Sequence, residues 1–391
     1  MIINDKRALA YTARCGAVEK IEGADNIELV SVLGWKVIAK IGEFHEGDLC
    51  VYFEIDSKLP EKEWSAFMAT KHYKVKTMKL GKFGVISQGL ALPLHVFDVD
   101  IPNEDGVDLT ELLGVTYSTE EDNARKGKVD PDAKYKSMAA RHQKIFKKKL
   151  ARWLMRRSWG RKLMFVFFGK KKDNPRTFPT HFPFVHKTDE ERCENMPWVL
   201  GYERPLIVTE KLDGTSSTYI LERKKRNKYE FYVLSRNVRQ ADEKQECYHD
   251  HNIYWDMAFK YDIEKHLREY LEKNPDCPYV CIQGESVGSV QGNPLKLAED
   301  DFYCFNFIDG RVGRVDSVTG KEIVAAWNIK WVPILYTDYM MPADMEEFKQ
   351  FATASSVLNT SVLREGVVLR DPVNDFSFKN VSREYLLKHN S

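Results

Sequence analysis

The sequence predicts two folded parts, an N-terminal β-barrel of the OB type (the OB-fold) and a C-terminal α+β domain with antiparallel sheets. Short apolar or alternating runs separated by turn residues fill positions 7–117, as in small β-barrels. Strand-like runs and amphipathic helical stretches alternate over positions 176–391, as in α+β domains. Between them, positions 119–175 change to a polar and then basic composition. We therefore expect domains at 1–118 and 176–391, with a basic, partly helical insertion or linker at 119–175.

The barrel prediction depends on where the turn residues fall. The runs "ALAYTARCGAVEKI", "IELVSVLGWKVIAKI" and "DLCVYFEI" are separated by glycine-containing turns, and "KVKTMKLGKFGVISQGLALPL" supplies a further strand pair. This number of short strands in so few residues favours a closed barrel. A β-sandwich is the alternative that the pattern leaves open.

The insertion carries a dense positive charge although the whole chain is nearly neutral, with a net charge of +1. Positions 134–172 contain many Lys and Arg residues but no Asp or Glu, and apolar residues recur there at helical spacing. Such a block is typical of segments that bind a polyanion, and nucleic acid is the expected one. A solvated linker helix and contact with an anionic membrane surface are the alternatives.

The bulk composition narrows the class of protein. No apolar stretch reaches the length of a membrane-spanning helix, and the N-terminus lacks the apolar core of a secretory signal. The seven cysteines include no CxxC pair, which argues against a disulfide framework and a structural zinc site. We expect an intracellular protein of a reducing compartment that acts as a monomer and has no membrane partner.

The second part should contain two amphipathic helices among its strands. The stretch "IYWDMAFKYDIEKHLREYLEKN" has its apolar residues at helical spacing and predicts one long helix. The stretch "MPADMEEFKQFATAS" predicts another, with Pro342 just before its start. The intervening apolar runs predict strands.

A lysine loop between two apolar runs is the first chemical signal. The stretch "EKLDG" at 210–214 follows one predicted strand and precedes another, and Lys211 is the candidate nucleophile. Each of five later motifs places a charged or aromatic residue near a predicted strand end. They are "SRN" (235–237), "QGE" (283–285), "FYCFNF" (302–307), "REGVVLR" (364–370) and "FSFKN" (376–380).

This series resembles the motifs of the covalent nucleotidyltransferases, which include ATP-dependent DNA and RNA ligases and mRNA capping enzymes. "EKLDG" resembles motif I, "SRN" motif Ia, "FYCFNF" motif III, "EGVVLR" motif IV and "SFK" motif V. The N-terminal run from "GADNIELV" to "DSKLP" and the stretch "FPFVHKTDEER" (182–192) are similar to the RNA ligases whose OB domain precedes the catalytic domain. The resemblance covers most of the chain except the basic insertion.

The resemblance implies roles for the charged residues around the nucleotide. Lys211 would attack the α-phosphate of ATP and carry the AMP covalently, while Lys379 would contact that phosphate. Attack requires a neutral amine, so the site must lower the pKa of Lys211, and a divalent metal with Lys379 and Arg236 would do so. Arg236 would contact the ribose or, later, the RNA 5′-phosphate, and Arg192 the pyrophosphate.

Other motif residues would hold the rest of the cofactors. Phe305 would stack on the adenine, and Glu210 would contact the nucleotide. Because strand residues alternate, at most one of Tyr303, Phe305 and Phe307 should line the pocket. The expected ligands of a Mg²⁺ or Mn²⁺ ion are Asp213, Glu285 and Glu365, and Glu285 is also placed to bond a ribose hydroxyl.

The function so implied is that of an ATP-dependent RNA ligase in RNA repair. It would join 3′-OH and 5′-phosphate RNA ends, nicked or held in a duplex, through lysyl-AMP and adenylylated RNA. Ser216 stands where DNA ligases commonly carry arginine, which favours RNA. Asn306 and Ser377 also depart from the common motifs, in place of an aspartate and of a first motif V lysine. The alternatives are a capping-type guanylyltransferase and a catalytically decayed RNA-binding protein.

Overall fold

The structure is a computed structural model that describes residues 1–3, 6–117, 178–240, 251–374 and 376–389. The described residues before position 118 and those after position 177 form one compact unit. The predicted insertion at 119–175, with its basic block, lies outside the described residues. Within the described part of the chain, no helix is long and apolar enough to cross a membrane.

The first part is built around an antiparallel sheet of five strands in the order β10-β6-β3-β4-β5. The edge strands β5 and β10 contact each other, so the sheet curls towards a barrel. Buried and more exposed residues alternate along β5, which directs Trp35 inward to stack on Tyr52. The strands are β1 (Ile2–Ile3), β2 (Lys6–Arg7), β3 (Ala10–Lys20), β4 (Ile27–Val32), β5 (Trp35–Lys40), β6 (Leu49–Phe53), β7 (Ser57–Lys58), β8 (Met78–Leu80), β9 (Val85–Ser87), β10 (Leu90–Pro93) and β11 (Thr116–Tyr117), with 3-10 helices at Glu63–Lys71 and Leu94–Val96.

The second part mixes strands with five described α-helices, as an α+β domain should. Its strands are β12 (Glu191–Arg192), β13 (Leu206–Lys211), β14 (Thr215–Lys224), β15 (Lys228–Ser235), β16 (Arg239–Gln240), β17 (Tyr279–Val287), β18 (Asp301–Asp309), β19 (Gly313–Val315), β20 (Lys330–Trp331), β21 (Ile334–Tyr339), β22 (Gly366–Arg370) and β23 (Ser377–Val381). Its helices are α1 (Ile253–Lys260), α2 (Ile263–Lys273), α3 (Ser317–Ala325), α4 (Met345–Phe351) and α5 (Arg383–His389), with 3-10 turns at Cys193–Asn195, Pro197–Val199 and Lys225–Asn227.

Two sheets carry the motifs of the second part. One has five strands in the order β12-β23-β22-β13-β21, and the other has seven, with β16-β15-β14-β17-β18-β19 in order and β20 paired to β18. All pairings are antiparallel except β12 with β23 and β18 with β20. Because β13 and β14 belong to different sheets, the loop Leu212–Gly214 crosses from one sheet to the other. This crossing places the end of β13 between the sheets.

The long helix predicted over "IYWDMAFKYDIEKHLREYLEKN" is wrong in one respect, because the stretch forms two helices, α1 and α2. Asp262 between them adopts the left-handed conformation, with a φ of 45°, and no α-helix continues through such a residue. The apolar spacing does mark a buried face, since Leu267 and Leu271 are fully buried. The second predicted helix matches α4, which Asp344 caps by accepting a hydrogen bond from the Glu347 amide.

The two parts share buried surface. Val381 of β23 and Leu386 of α5 belong to the apolar cluster that surrounds Trp35 in the first part. The backbones also touch, since the Gly34 amide donates to the Glu194 carbonyl at 2.8 Å. A Cβ atom at Gly34 would lie 2.8 Å from the Glu194 Cα atom, so only glycine permits this approach. The first part is therefore fixed against the start of the second.

Candidate active site

Lys211 lies at the end of β13, beside Gly366 of β22. Its Nζ atom is 2.6 Å from Glu365 Oε2, and the side chain keeps 26% of its surface exposed. A side chain at position 366 would collide with the carbonyl oxygen of Asn380, so glycine allows β22 and β23 to pack closely here. Glu365, just before β22, is thereby held against the lysine.

Three carboxylates surround this lysine, as the motif positions suggested. Burial, together with the charges of Glu365 and Asp213, raises the pKa of Glu285 to about 8, although Lys211 opposes the shift. Burial alone would lower the pKa of Lys211, but Glu365, Glu285 and Asp213 outweigh it, and the pKa lies above the ordinary value. Without a metal the site thus holds Lys211 as the ammonium, the opposite of what attack on a phosphate requires.

The carboxylates could bind a hard divalent cation only together with water and substrate phosphates. No three metal-binding side chains among the described residues are close enough to form a cage. Magnesium commonly binds through one or two carboxylates, with water and substrate phosphates completing its shell. One or two of Asp213, Glu285 and Glu365 would suffice for that arrangement. Burial and the charges of Glu365 and Asp213 both raise the pKa of Glu285, and a bound cation would offset them.

Lys379 and Arg236 come together on a carboxylate that the sequence reasoning missed. Asp189 accepts from Lys379 Nζ at 3.2 Å and lies 2.7 Å from the Arg236 guanidinium. A third cation, Arg7 of β2, reaches the same carboxylate at 3.4 Å. Burial alone would raise the pKa of Asp189, but the cations, with Lys379 first among them, hold it well below the usual range. Asp189 stands in the quoted stretch "HKTDEER", whereas no local pattern marks Arg7.

Lys379 is only 7% exposed, so its charge is poorly solvated. Burial, aided by the nearby charges of Arg7, Arg192 and Lys211, lowers its pKa to about 7, although Asp189 opposes the shift. Near neutral pH this lysine therefore stands at the midpoint of its titration and would gain its proton readily beside a phosphate.

Phe305 differs from its neighbours on β18. Tyr303 and Phe307 are buried, but Phe305 is partly exposed. The register between β17 and β18 shifts between Gln283 and Gly284, opposite Phe305, and such a bulge re-aims one side chain. The guanidinium of Arg370 lies 5.8 Å from the ring centroid. Of the three aromatic residues predicted on one face of this strand, Phe305 is thus the one whose ring is accessible for stacking on a nucleotide base.

Glu210 and Arg192 occupy buried positions at different edges of the site. Glu210 is 1% exposed, and its Oε2 accepts from the Val357 amide at 2.8 Å, whereas its Oε1 has no hydrogen-bond partner among the described residues. Arg192 pairs with Lys379 across β12 and β23. Its guanidinium turns towards the first part, 3.4 Å from Asp56 and 5.8 Å from the Trp35 ring. Its contact with a pyrophosphate stays a prediction.

Two hydroxyl groups complete the loop that follows Lys211. Tyr385 of α5 donates a hydrogen bond to Asp213, and Ser216 shares one with Thr188. Ser216 also faces Glu285 across β14 and β17. Tyr385 lies beyond the last recognised motif, so the sequence offered no signal for it. The fold and this lysine-centred site define a nucleotidyltransferase domain joined to an OB-fold.

Comparison with known proteins agrees with that class. A family model described as an OB-fold domain matches residues 9–94, and one described as RNA ligase matches residues 204–384. Curated protein sequences gave no significant match. Among solved structures, the RNA ligase of Naegleria gruberi with PPi is 28% identical, with a TM-score of 0.72 over 98% of this chain and 99% of that one. An apo aspartate-to-alanine mutant of that ligase is 29% identical, with a TM-score of 0.73 over 98% of both chains. A glutamate-to-alanine mutant with ATP and Mn is 29% identical, with a TM-score of 0.72 over 98% of this chain and 100% of that one.

The chain therefore carries an OB-fold domain ahead of an RNA ligase domain, and it is similar over almost its whole length to an RNA ligase of known structure. The motif resemblance seen in the sequence is confirmed at this level.

Proposed function

We propose that this chain is an ATP-dependent ligase that joins a 3′-OH RNA end to a 5′-phosphate RNA end during RNA repair. The observation that carries the proposal is the position of Lys211. Its amine lies between the two sheets, 2.6 Å from Glu365 and under the charge of Glu285 and Asp213, with buried Lys379 within electrostatic range. We also propose that the chain acts as a monomer on nicked or duplex-held RNA.

The proposed chemistry has three transfers at phosphorus. Lys211 Nζ forms a bond to the α-phosphorus of ATP, and the bond from that phosphorus to the bridging oxygen breaks, releasing pyrophosphate. An oxygen of the RNA 5′-phosphate then displaces the lysine and takes the AMP. Finally the 3′-OH loses its proton and attacks the 5′-phosphorus, and AMP leaves. Lys379 and Arg236 are placed to hold the phosphate charge that develops in these steps.

Lys211 must lose a proton before the first step. Because Glu365, Glu285 and Asp213 raise its pKa, neutralising them is the way to free the amine. A Mg²⁺ or Mn²⁺ ion bound directly by one or two of these carboxylates, and lying near the others, would supply that neutralisation and offset the phosphate charge. Lys379 lies within electrostatic range of Lys211, so its charge would also lower the pKa of Lys211, although Lys379 and Arg236 both contact Asp189.

A buried, unpaired oxygen supports ATP over GTP. Glu210 Oε1 has no partner in the described part of the chain, and an unpaired buried acceptor is costly. The 6-amino group of adenine can donate to such an oxygen, whereas guanine has an acceptor at position 6 and could donate only from its N1–H or its 2-amino group. The ligase of Naegleria gruberi, similar over its full length, has been solved with ATP and Mn.

The first test is covalent labelling. Incubation with α-labelled ATP and Mn²⁺ should give an acid-labile protein–AMP adduct that is lost in Lys211→Ala and retained in Lys36→Ala, which alters an exposed lysine of the first part. A label obtained from GTP instead would indicate a guanylyltransferase. RNA binding without any adduct would indicate a decayed ligase. Sealing of a nicked duplex with single ribonucleotides on either side of the nick would then test the RNA ends.

A further inference from the structure

The side chain of Asn195 lies between the two parts and makes four hydrogen bonds, two as acceptor and two as donor. It is 7% exposed, and its Oδ1 accepts from Tyr11 at 3.0 Å and from the Trp35 indole at 2.7 Å. Its Nδ2 donates to Glu54 at 2.6 Å and to Glu191 at 2.9 Å. Two acceptors and two donors at one buried position suit only an amide. An aspartate there could not donate and would add a third carboxylate to the cluster.

Glu54 continues the chain of contacts towards the active site. Its side chain is fully buried, which is costly for a charge unless cations and donors surround it. Its Oε1 accepts from Asn195, while its Oε2 accepts from Arg7 Nε at 3.2 Å and Arg7 Nη2 at 3.0 Å. This double contact fixes the plane of the Arg7 guanidinium.

The remaining guanidinium nitrogen of Arg7 reaches the second part. Its Nη1 lies 3.4 Å from Asp189 Oδ1, the same oxygen that accepts from Lys379. The other oxygen of Asp189 faces Arg236 at 2.7 Å. Asp189 thus takes one cation from the first part and two from the proposed phosphate site. A shift of Arg7 would let Asp189 turn and carry both of these cations with it.

We propose that Asn195, Glu54 and Arg7 are positioning residues for the adenylylation of Lys211. Asn195 holds Glu54, Glu54 holds Arg7, and Arg7 fixes Asp189 from the OB-fold side. Asp189 in turn fixes the Lys379 ammonium and the Arg236 guanidinium where the phosphates of ATP bind. The inference rests on the proposed function and deepens it, because it makes docking of the first part a condition of the chemistry. Arginine suits this position because the planar guanidinium of Arg7 contacts the carboxylates of Glu54 and Asp189 at once. The single ammonium group of a lysine would hold two carboxylates less well.

The test is a double-mutant cycle on the rate of adduct formation, measured in single turnovers with saturating α-labelled ATP and Mn²⁺. Arg7→Gln and Asp189→Asn should each lower the rate about 10- to 100-fold, as small misplacements of catalytic groups do. The double variant should be no slower than the slower single variant, because Arg7 acts through Asp189. Arg7→Lys should recover part of the rate. If the fold-reduction in the double variant equals the product of the two single reductions, the proposal is overturned. An unchanged rate in Arg7→Gln would overturn it as well.

Asn195 is tested in the same way. Asn195→Asp should slow adduct formation in the natural background but have no further effect in the Arg7→Gln background, although the two residues share no hydrogen bond. An equal fold-change in both backgrounds would indicate a purely structural role and refute this link. If Asn195→Asp lowers the melting temperature so far that the protein unfolds, Glu54→Gln replaces it in the cycle. Glu19→Gln, which breaks an exposed ion pair with Lys36, is the matched control and should leave the rate unchanged.

These outcomes separate the two proposals. If the natural chain forms no adduct with ATP, the proposed function fails. If it forms the adduct and the effects of Arg7 and Asp189 multiply, the function stands and the positioning chain is wrong.

Discussion

Replacing Lys379 with methionine should make the protein more stable and less active. The ordinary pKa of a lysine is 10.5, whereas burial and neighbouring cations lower that of Lys379 to about 7. The unfolded chain therefore binds a proton between pH 7 and 10.5 that the folded chain does not. The folded state is penalised fully below pH 7, and the penalty is relieved as the pH rises through this window. Methionine has a similar size and no charge, so Lys379→Met removes the penalty.

The size of the effect follows from the difference in pKa. At about 1.4 kcal/mol per pH unit, the penalty below pH 7 is at most about 5 kcal/mol. Between pH 7.5 and 9.5 the excess stability of the variant over the natural protein should shrink by about 2.5 kcal/mol. Asp189 keeps Arg7 and Arg236 as partners in the variant, so its own contribution should stay constant over this range.

Urea unfolding at several pH values, without metal or nucleotide, measures this difference. The informative quantity is the slope of this stability difference with pH. A change in packing would shift the difference by the same amount at every pH and would leave the slope unchanged. The variant should also form the AMP adduct about 100-fold more slowly or worse, as expected when a charge that stabilises the transition state is lost. Lys36→Met, on the exposed surface of the first part, is the control and should show no such slope. A difference in stability that is equal at pH 7.5 and 9.5 would refute the reasoning.

Three further substitutions test other parts of the site and its support. Gly366→Ala would press a methyl group against the Asn380 carbonyl; we expect a loss of about 1–3 kcal/mol of stability in urea unfolding and slower adduct formation, and an unperturbed variant would contradict the packing argument. Lys349 of α4 forms a fully buried ion pair with Glu194, and Lys349→Met would leave that carboxylate without its ammonium partner. The expected loss in free energy of unfolding is about 3–5 kcal/mol, and a second change, Glu194→Gln, should restore part of it. Phe305→Ala would remove the stacking surface and should raise the KM for ATP in adduct formation about 5- to 100-fold with little change in kcat, whereas an unchanged KM would place the base elsewhere.

The sequence predicted those features that depend on local patterns. Lys211 and Glu365 stand at strand ends because apolar runs define the strands, and the charged residue follows or precedes them. The helix over "IYWDMAFKYDIEKHLREYLEKN" was predicted too long because periodicity continues across Asp262, whose left-handed backbone has no unmistakable local signal. The β-bulge at Phe305 also has no local sequence signal, since it arises from the pairing of two strands rather than from the sequence of one of them.

The contacts missed at the site are those made over long distances along the chain. Arg7 and Asp189 lie 182 positions apart, and neither has a neighbour that would suggest the other. Tyr385 contacts Asp213 from 172 positions away. The pKa of Lys211 also could not be predicted from its motif, because its direction depends on how many carboxylates the fold brings near it. Local sequence motifs thus identify the reacting groups, whereas the tertiary packing around those groups determines their pKa and their charge.

The apolar cluster shared by the two parts has a consequence for how the chain folds during synthesis. Members of that cluster run from Ala8 to Val381 and Leu386. An N-terminal barrel made first by the ribosome therefore cannot complete its core until almost the whole described chain has emerged. Contacts of such sequence separation form late and slowly. We expect nascent chains stopped before β23 to leave part of the barrel's apolar surface open to chaperones, so that the ligase domain finishes the folding of the domain made before it.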